Sequence, residues 1–235
     1  MTKEKERLLS MLKENKISED DYKILSASLD KKTSSFVLQL FSLLINPFQR
    51  IAGLYSLLAG LVILFSMSYL GVIAKVYFPG ILDCLNSSIV SNPKIPLNFF
   101  LLAYQNIVSW FVLSILFIIA AKICHQKRMR IIDFFGTVAL ARFPFLVLVV
   151  FLSIVRVLNP SFMDIDLTHG FQIQKSFMTP MFGTVVVICA IWQITTYFYA
   201  LKESSGLSGK KLWISFISAI ILGEMLSSTL TVFFL

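Results

Sequence analysis

Charge is scarce in this chain. Asp, Glu, Lys and Arg make up 14% of 235 residues, 57% are hydrophobic and the mean hydropathy is +0.80. A soluble domain carries about 25% charged residues, so this balance excludes one, and a disordered chain still more firmly. Cysteine is nearly lacking: Cys84, Cys124 and Cys189 are isolated, odd in number, and have no C-x-x-C pair or His at ligand spacing. Neither a disulfide framework nor a metal site is expected from them. Only two histidines occur, His125 in a basic loop and His169 near Asp164 and Asp166. Two acids in a loop read as solvated, and a divalent cation there would bind weakly at best. There is no Ser/His/Asp or Cys/His set and no pair of acids within the apolar runs, so hydrolase and metalloprotease chemistry lacks candidates. The stretch "GLSGKKLW" is not a phosphate loop: Gly206 and Gly209 are too close together, and Lys211 is followed by Leu212 rather than Ser or Thr. The expectation is a non-enzymatic chain with no cofactor. No signal-peptide pattern opens the sequence, and the N-terminus is expected to stay in the compartment of synthesis.

Long apolar runs are abundant. A bilayer core about 30 Å thick needs roughly 20 apolar residues in a helix, and five runs meet that requirement. They cover about 51–73, 97–121, 131–158, 181–201 and 212–235, joined by segments rich in Pro, Gly, Asn and Ser. Lys and Arg number nine over residues 1–50, four over 122–130 and three over 202–211, against Lys75, Lys94, Arg156 and Lys175 on the alternate side. This bias puts the N-terminus in the cytoplasm and the C-terminus outside. The formal net charge of +8 lies beside the spans, with no basic run interleaved with exposed aromatics. Anionic lipid headgroups on the inner face are therefore its expected partners, and nucleic acid is not.

Ahead of the spans, residues 1–32 read as a cytoplasmic helical hairpin turning at Asn15-Lys16. Ser18 is a good N-cap, Asp21 sits at the reciprocal capping position, and Ile17 can staple to Tyr22. Leu8, Leu9 and Leu12 on one helix and Tyr22, Leu25 and Leu29 on the other make two small apolar faces. They suit self-association or another membrane protein as partner, or simply a capped surface hairpin. Residues 33–50 alternate apolar and polar positions at helical spacing up to Asn46-Pro47, which suggests an amphipathic helix in the inner interface; the alternative is an N-terminal extension of the first span. The expected fold is thus all-α: a polytopic bundle of five transmembrane helices, 51–235, preceded by a short hairpin and an interfacial helix.

One basic residue lies inside a span. Arg142 sits in "TVALARFPFL", and a central arginine costs about 2.5–3.5 kcal/mol on insertion scales. Glu224 lies at similar depth in the fifth span, and pairing the two would offset both charges. Gln193, Gln105 and Asn106 could complete a polar cluster, and Pro144 kinks the third span by withholding an N–H from the carbonyl of Leu140. Ser215, Ala219, Gly223 and Ser227 recur every fourth residue, a small-residue ridge for helix packing. Such a pair either fixes helix register or lines a path for an ion, proton or polar headgroup; in a third reading Arg142 snorkels and no pair forms. Asp133 starts the third span, where the helix dipole and Arg130 both favour a carboxylate.

The segments "LLINPFQRI", "FGTVALARFPFLVLV" and "WQITTYFYALKESSGLSGKKLW" together resemble the Yip-one domain of Ypt/Rab-interacting membrane proteins, over about residues 36–235. The matching positions are Pro47, Gly136 with Pro144, Trp192, and Gly206 with Ser208. The resemblance implies five spans, a cytoplasmic N-terminus and no enzymatic activity. The Asp-Leu-Tyr-Gly-Pro-type segment of eukaryotic members is missing, which suggests a prokaryotic member, in a bacterial or archaeal plasma membrane, and counts against a small-GTPase partner. The expected function is a membrane scaffold or organising protein that forms homo-oligomers or binds other membrane proteins. The alternative is a small permease or channel component built on Arg142 and Glu224.

Overall fold

A computed structural model describes residues 10–11, 22, 42–51, 53–77, 80–82, 88–89, 97–124, 129–158 and 178–233. The expected hairpin with its Ser18 cap, the interfacial segment before residue 42, both histidines and Cys84 lie outside the described residues. The chain divides into two compact units, Met1–Leu44 and Ile45–Leu235. In the first, residues 42–44 are helical; in the second lies an all-α bundle with five helical stretches long and apolar enough to cross a membrane.

Six helices make these five spans: α1 Leu54–Ala74, α2 Phe99–Ile123, α3 Ile131–Leu140, α4 Phe143–Leu158, α5 Met178–Ser205 and α6 Gly209–Phe233. The third span is split between α3 and α4. The chain enters α1 through a 3-10 turn at Pro47–Gln49 and a left-handed Gly53 (φ 67°), so α1 does not continue an earlier helix. Left-handed backbone is cheap only for glycine, which explains why α1 starts here and not at Ile51. The other end of α1 closes on Lys75, also left-handed (φ 52°), whose N–H bonds back to the carbonyls of Gly71 and Val72. At the head of α2 the side chain of Asn98 accepts from the N–H of Leu101 at 2.8 Å, an N-cap that moves the helix start two residues beyond the expected boundary. Between α1 and α2 a short antiparallel pair forms, with Val76 opposite Ile89 and Tyr77 opposite Ser88.

The split span is central. It is 61% buried over its apolar window, against 33–39% for the other four, and α3 contacts α1, α2 and α5. Its closest approach is to α1. A Cβ on Gly60 would collide with Ala139 and lie 2.8 Å from the N of Leu140, and one on Gly136 would collide with Ser56 and lie 2.9 Å from the N of Leu57. Two glycines, one on each helix, thus bring the backbones together, the small-residue packing that substitutes for a hydrophobic drive in lipid. α6 packs chiefly on α2 and presents Trp213, Ile214, Ile217, Ile221 and Met225 outward, as α1 presents Tyr55, Val62, Phe65 and Tyr69. Apolar outward faces on helices of this length mark the lipid boundary of a multi-pass membrane protein.

Candidate functional site

The segment joining α1 to α2 reads from sequence as a connecting loop, yet its residues 80–82 lie within the bundle. Ile81 is fully buried and belongs to the core formed with Leu113, Phe117, Tyr197 and Ala219. Ser109, which touches this segment, lies ten residues along α2 from Phe99, about 15 Å in at 1.5 Å per residue. Glu224 lies nine residues before the end of α6 at Phe233, about 14 Å in. Non-helical backbone at that depth has no water to satisfy it and must find its partners in protein.

Those partners are specific. One carboxylate oxygen of Glu224 accepts from the N–H of Ile81 at 2.8 Å and of Leu82 at 2.9 Å. Ser109 Oγ donates to the carbonyl of Gly80 at 2.8 Å and lies 2.7 Å from Ser227 Oγ. Gln193 Nε2 and Tyr197 Oη donate to the carbonyl of Ile81, at 3.3 and 3.4 Å. Three helices, α2, α5 and α6, therefore hold four consecutive main-chain groups. Two glycines make the fit possible: a Cβ on Gly80 would collide with the Glu224 carboxylate, and one on Gly223 would collide with the Ile81 side chain.

The second polar centre is the break at Ala141-Arg142. Pro144 has no N–H for the carbonyl of Leu140, and the N–H of Phe145 turns instead to the carbonyl of Arg142 at 3.0 Å. The carbonyl of Ala141, freed by that shift, accepts from Thr196 Oγ1 at 2.8 Å. Arg142 is fully buried, and its Nη1 donates to the carbonyl of Asn106 at 2.8 Å. Asn106 in turn donates to Ser68 Oγ on α1 at 2.8 Å.

The two midspan charges thus both bond to main-chain groups, Arg142 to α2 and Glu224 to the inserted loop, and the other oxygen of Glu224 accepts from Ser228 Oγ on its own helix at 3.4 Å. Both centres are built on the same two helices. α2 supplies Asn106 to one and Ser109 to the other, and α5 supplies Thr196 and Gln193, each pair three residues apart and so on one face. Gln105 is also fully buried on α2. All four ridge residues, Ser215, Ala219, Gly223 and Ser227, are buried, and the contacts of Ser215 with Cys124, Gly223 with Leu113 and Leu116, and Ser227 with Ser109 place the ridge against α2. Asp133, at the start of α3, is partly buried close to Gly53.

Sequence reasoning missed the inserted loop, Ser109, Thr196 and Tyr197. The usable signal was "VYFPGIL", an apolar run of seven residues in a segment otherwise rich in polar and turn-forming residues. No family model matches the chain, and neither a curated protein nor a solved structure matches it.

Proposed function

We propose that this chain is a non-enzymatic membrane scaffold of the Yip-one type, a five-span body that organises copies of itself or neighbouring membrane proteins. The observation that supports this reading best is what the interior polar side chains bind. Glu224, Ser109, Gln193, Tyr197, Thr196 and Arg142 each bond to the main chain of the bundle itself. Side chains engaged in that way stiffen a body and leave little for a passing solute. In this reading the Lys and Arg bias sets the N-terminus in the cytoplasm, beside anionic headgroups, and the N-terminal segment supplies the self-association surface. The test is single-molecule photobleaching of labelled chains at low density in vesicles. Oligomers that become monomers on deletion of residues 1–32 are the expected result; an unchanged size distribution overturns the self-association role.

One observation favours a second reading, a small permease. Irregular backbone at mid-depth beside an interrupted helix is the arrangement in which transporters build substrate sites. In that case Arg142→Met combined with Glu224→Leu abolishes solute flux into proteoliposomes while the protein stays folded, whereas a scaffold shows no flux above empty vesicles in either form.

A further inference from the structure

The inserted loop has the anatomy of a stopper, and we infer that Gly80–Leu82 is a removable plug latched by Glu224, whose withdrawal opens a water-filled polar cleft from the loop's own side of the membrane to mid-depth. This goes beyond the scaffold reading and does not rest on it.

Three observations carry the inference. First, the segment's main-chain bonds to the surrounding helices are made by side chains: Glu224, Ser109, Gln193 and Tyr197 hold Gly80, Ile81 and Leu82. A bond of that kind exchanges for water one at a time, unlike a helical ladder. Second, the walls left behind are polar in part, beside the apolar Leu113, Phe117 and Ala219. Without the loop, a carboxylate, an amide, a phenol and two hydroxyls, those of Ser109 and Ser227, would line the vacated space. Buried polar groups without partners are costly, so such a cleft fills with water or a small hydrogen-bonding solute and does not collapse dry. Third, the fit is that of a stopper in a socket. Gly80 leaves room for the latch, and Gly223, within the ridge packed on α2, leaves room for the Ile81 side chain, so the loop gains its seat through absent atoms.

The latch is the decisive part. A single charged oxygen accepting two N–H bonds is the strongest tie on the segment, because bonds to an ionised acceptor are shorter and roughly twice as strong as neutral ones. Replacing Glu224 by Gln keeps an acceptor but removes the charge, and replacing it by Ala removes both. Opening should therefore rise in the order wild type, Glu224→Gln, Glu224→Ala.

The experiment is cysteine accessibility in nanodiscs, in a chain whose Cys84, Cys124 and Cys189 are replaced by Ser, using a water-soluble maleimide. Ile81→Cys is expected to react slowly with the latch intact. It should react at least about tenfold faster in the Glu224→Ala background, the change in an opening equilibrium that the loss of even one of the two charge-assisted bonds would give. Ser109→Cys should follow the same order, because it lines the vacated space. Lys75→Cys, exposed at the end of α1, should react equally in every background. If Glu224→Ala fails to fold, Gly80→Ala replaces it, since a Cβ there drives the loop off the carboxylate while leaving every polar side chain in place. Equal protection of positions 81 and 109 in all folded backgrounds overturns the proposal and makes the loop a fixed part of the core. Faster labelling at 81 with no change at 109 also overturns it, because the loop would then fray without opening a cleft.

Discussion

Two places in this bundle bring backbones closer than ordinary side chains allow, and only one of them adds hydrogen bonds to the missing atoms. Where α1 meets α3, Gly60 and Gly136 remove atoms, and the contact is mainly one of shape. Where the loop meets α2, α5 and α6, polar side chains add bonds to a backbone that would otherwise be unsatisfied. The first contact is sensitive to volume and indifferent to charge. The second is sensitive to the loss of an acceptor or donor and, at Gly80 and Gly223, to added volume as well. A membrane interior thus has two routes to close approach, dispersion and hydrogen bonding, and this chain relies mainly on the first where α1 meets α3 and on both together at the loop.

The contrast can be broken most sharply at the glycine contact. Gly136→Ala puts a Cβ against backbone that cannot give, and we expect a loss of about 3 kcal/mol in denaturant unfolding of detergent-solubilised protein, the upper part of the usual overpacking range. Gly183→Ala is its control, because a Cβ there meets nothing within 4 Å. It should stabilise α5 by up to about 1 kcal/mol through helix propensity. Equal effects at the two positions would mean that the α1–α3 approach is looser than described.

At the polar centres the expected losses are smaller. Arg142→Met, which loses a hydrogen bond from a charged group, and Glu224→Gln, which weakens two by removing the charge, should each cost about 2 kcal/mol. Since their main-chain bonds go to different stretches of backbone, the two losses should add to within about 0.5 kcal/mol in the double variant. A double variant clearly milder than the sum would instead show that the guanidinium and carboxylate offset each other directly.

Smallest is the effect of Thr196→Val, which removes the bond to the freed carbonyl of Ala141; about 1 kcal/mol is expected. Thr195→Val, whose hydroxyl bonds only within its own helix to Ile191, should change stability by less than about 0.5 kcal/mol. If the two behave alike, the break at Arg142 needs no help from α5.

Much of the architecture was legible because hydropathy and length decide it. Each of the five spans is close to its expected position, and the break at Ala141-Arg142 falls where Pro144 signals a kink. Midspan polar residues stand out in apolar runs for the same reason, which is how Arg142, Glu224, Gln193, Gln105 and Asn106 come to notice. Less legible was what they touch. Glu224 binds a segment 142 and 143 positions away, and no periodicity encodes that pairing. Ser109, Thr196 and Tyr197 also escape attention, since hydroxyls are common in membrane helices and most bond to their own helix. The loop was misread for a chemical reason: Pro, Gly, Asn and Ser report irregular backbone, but not whether water or protein satisfies it.

The latch has a consequence for how the protein is made. Leu82 and its carboxylate partner are 142 residues apart, so at a synthesis rate of about 5–20 residues per second the loop is complete on the order of ten seconds before its acceptor exists. During that interval the two amides have no carboxylate to bind, and the loop's lowest-energy place is in water. The plug therefore seats last. Biogenesis of this bundle ends not with the insertion of its final helix but with the return of an early segment to a socket that only the final helix completes. A pulse-chase protease-protection assay would see this as late resistance at residues 80–82, arriving only after α6 has inserted.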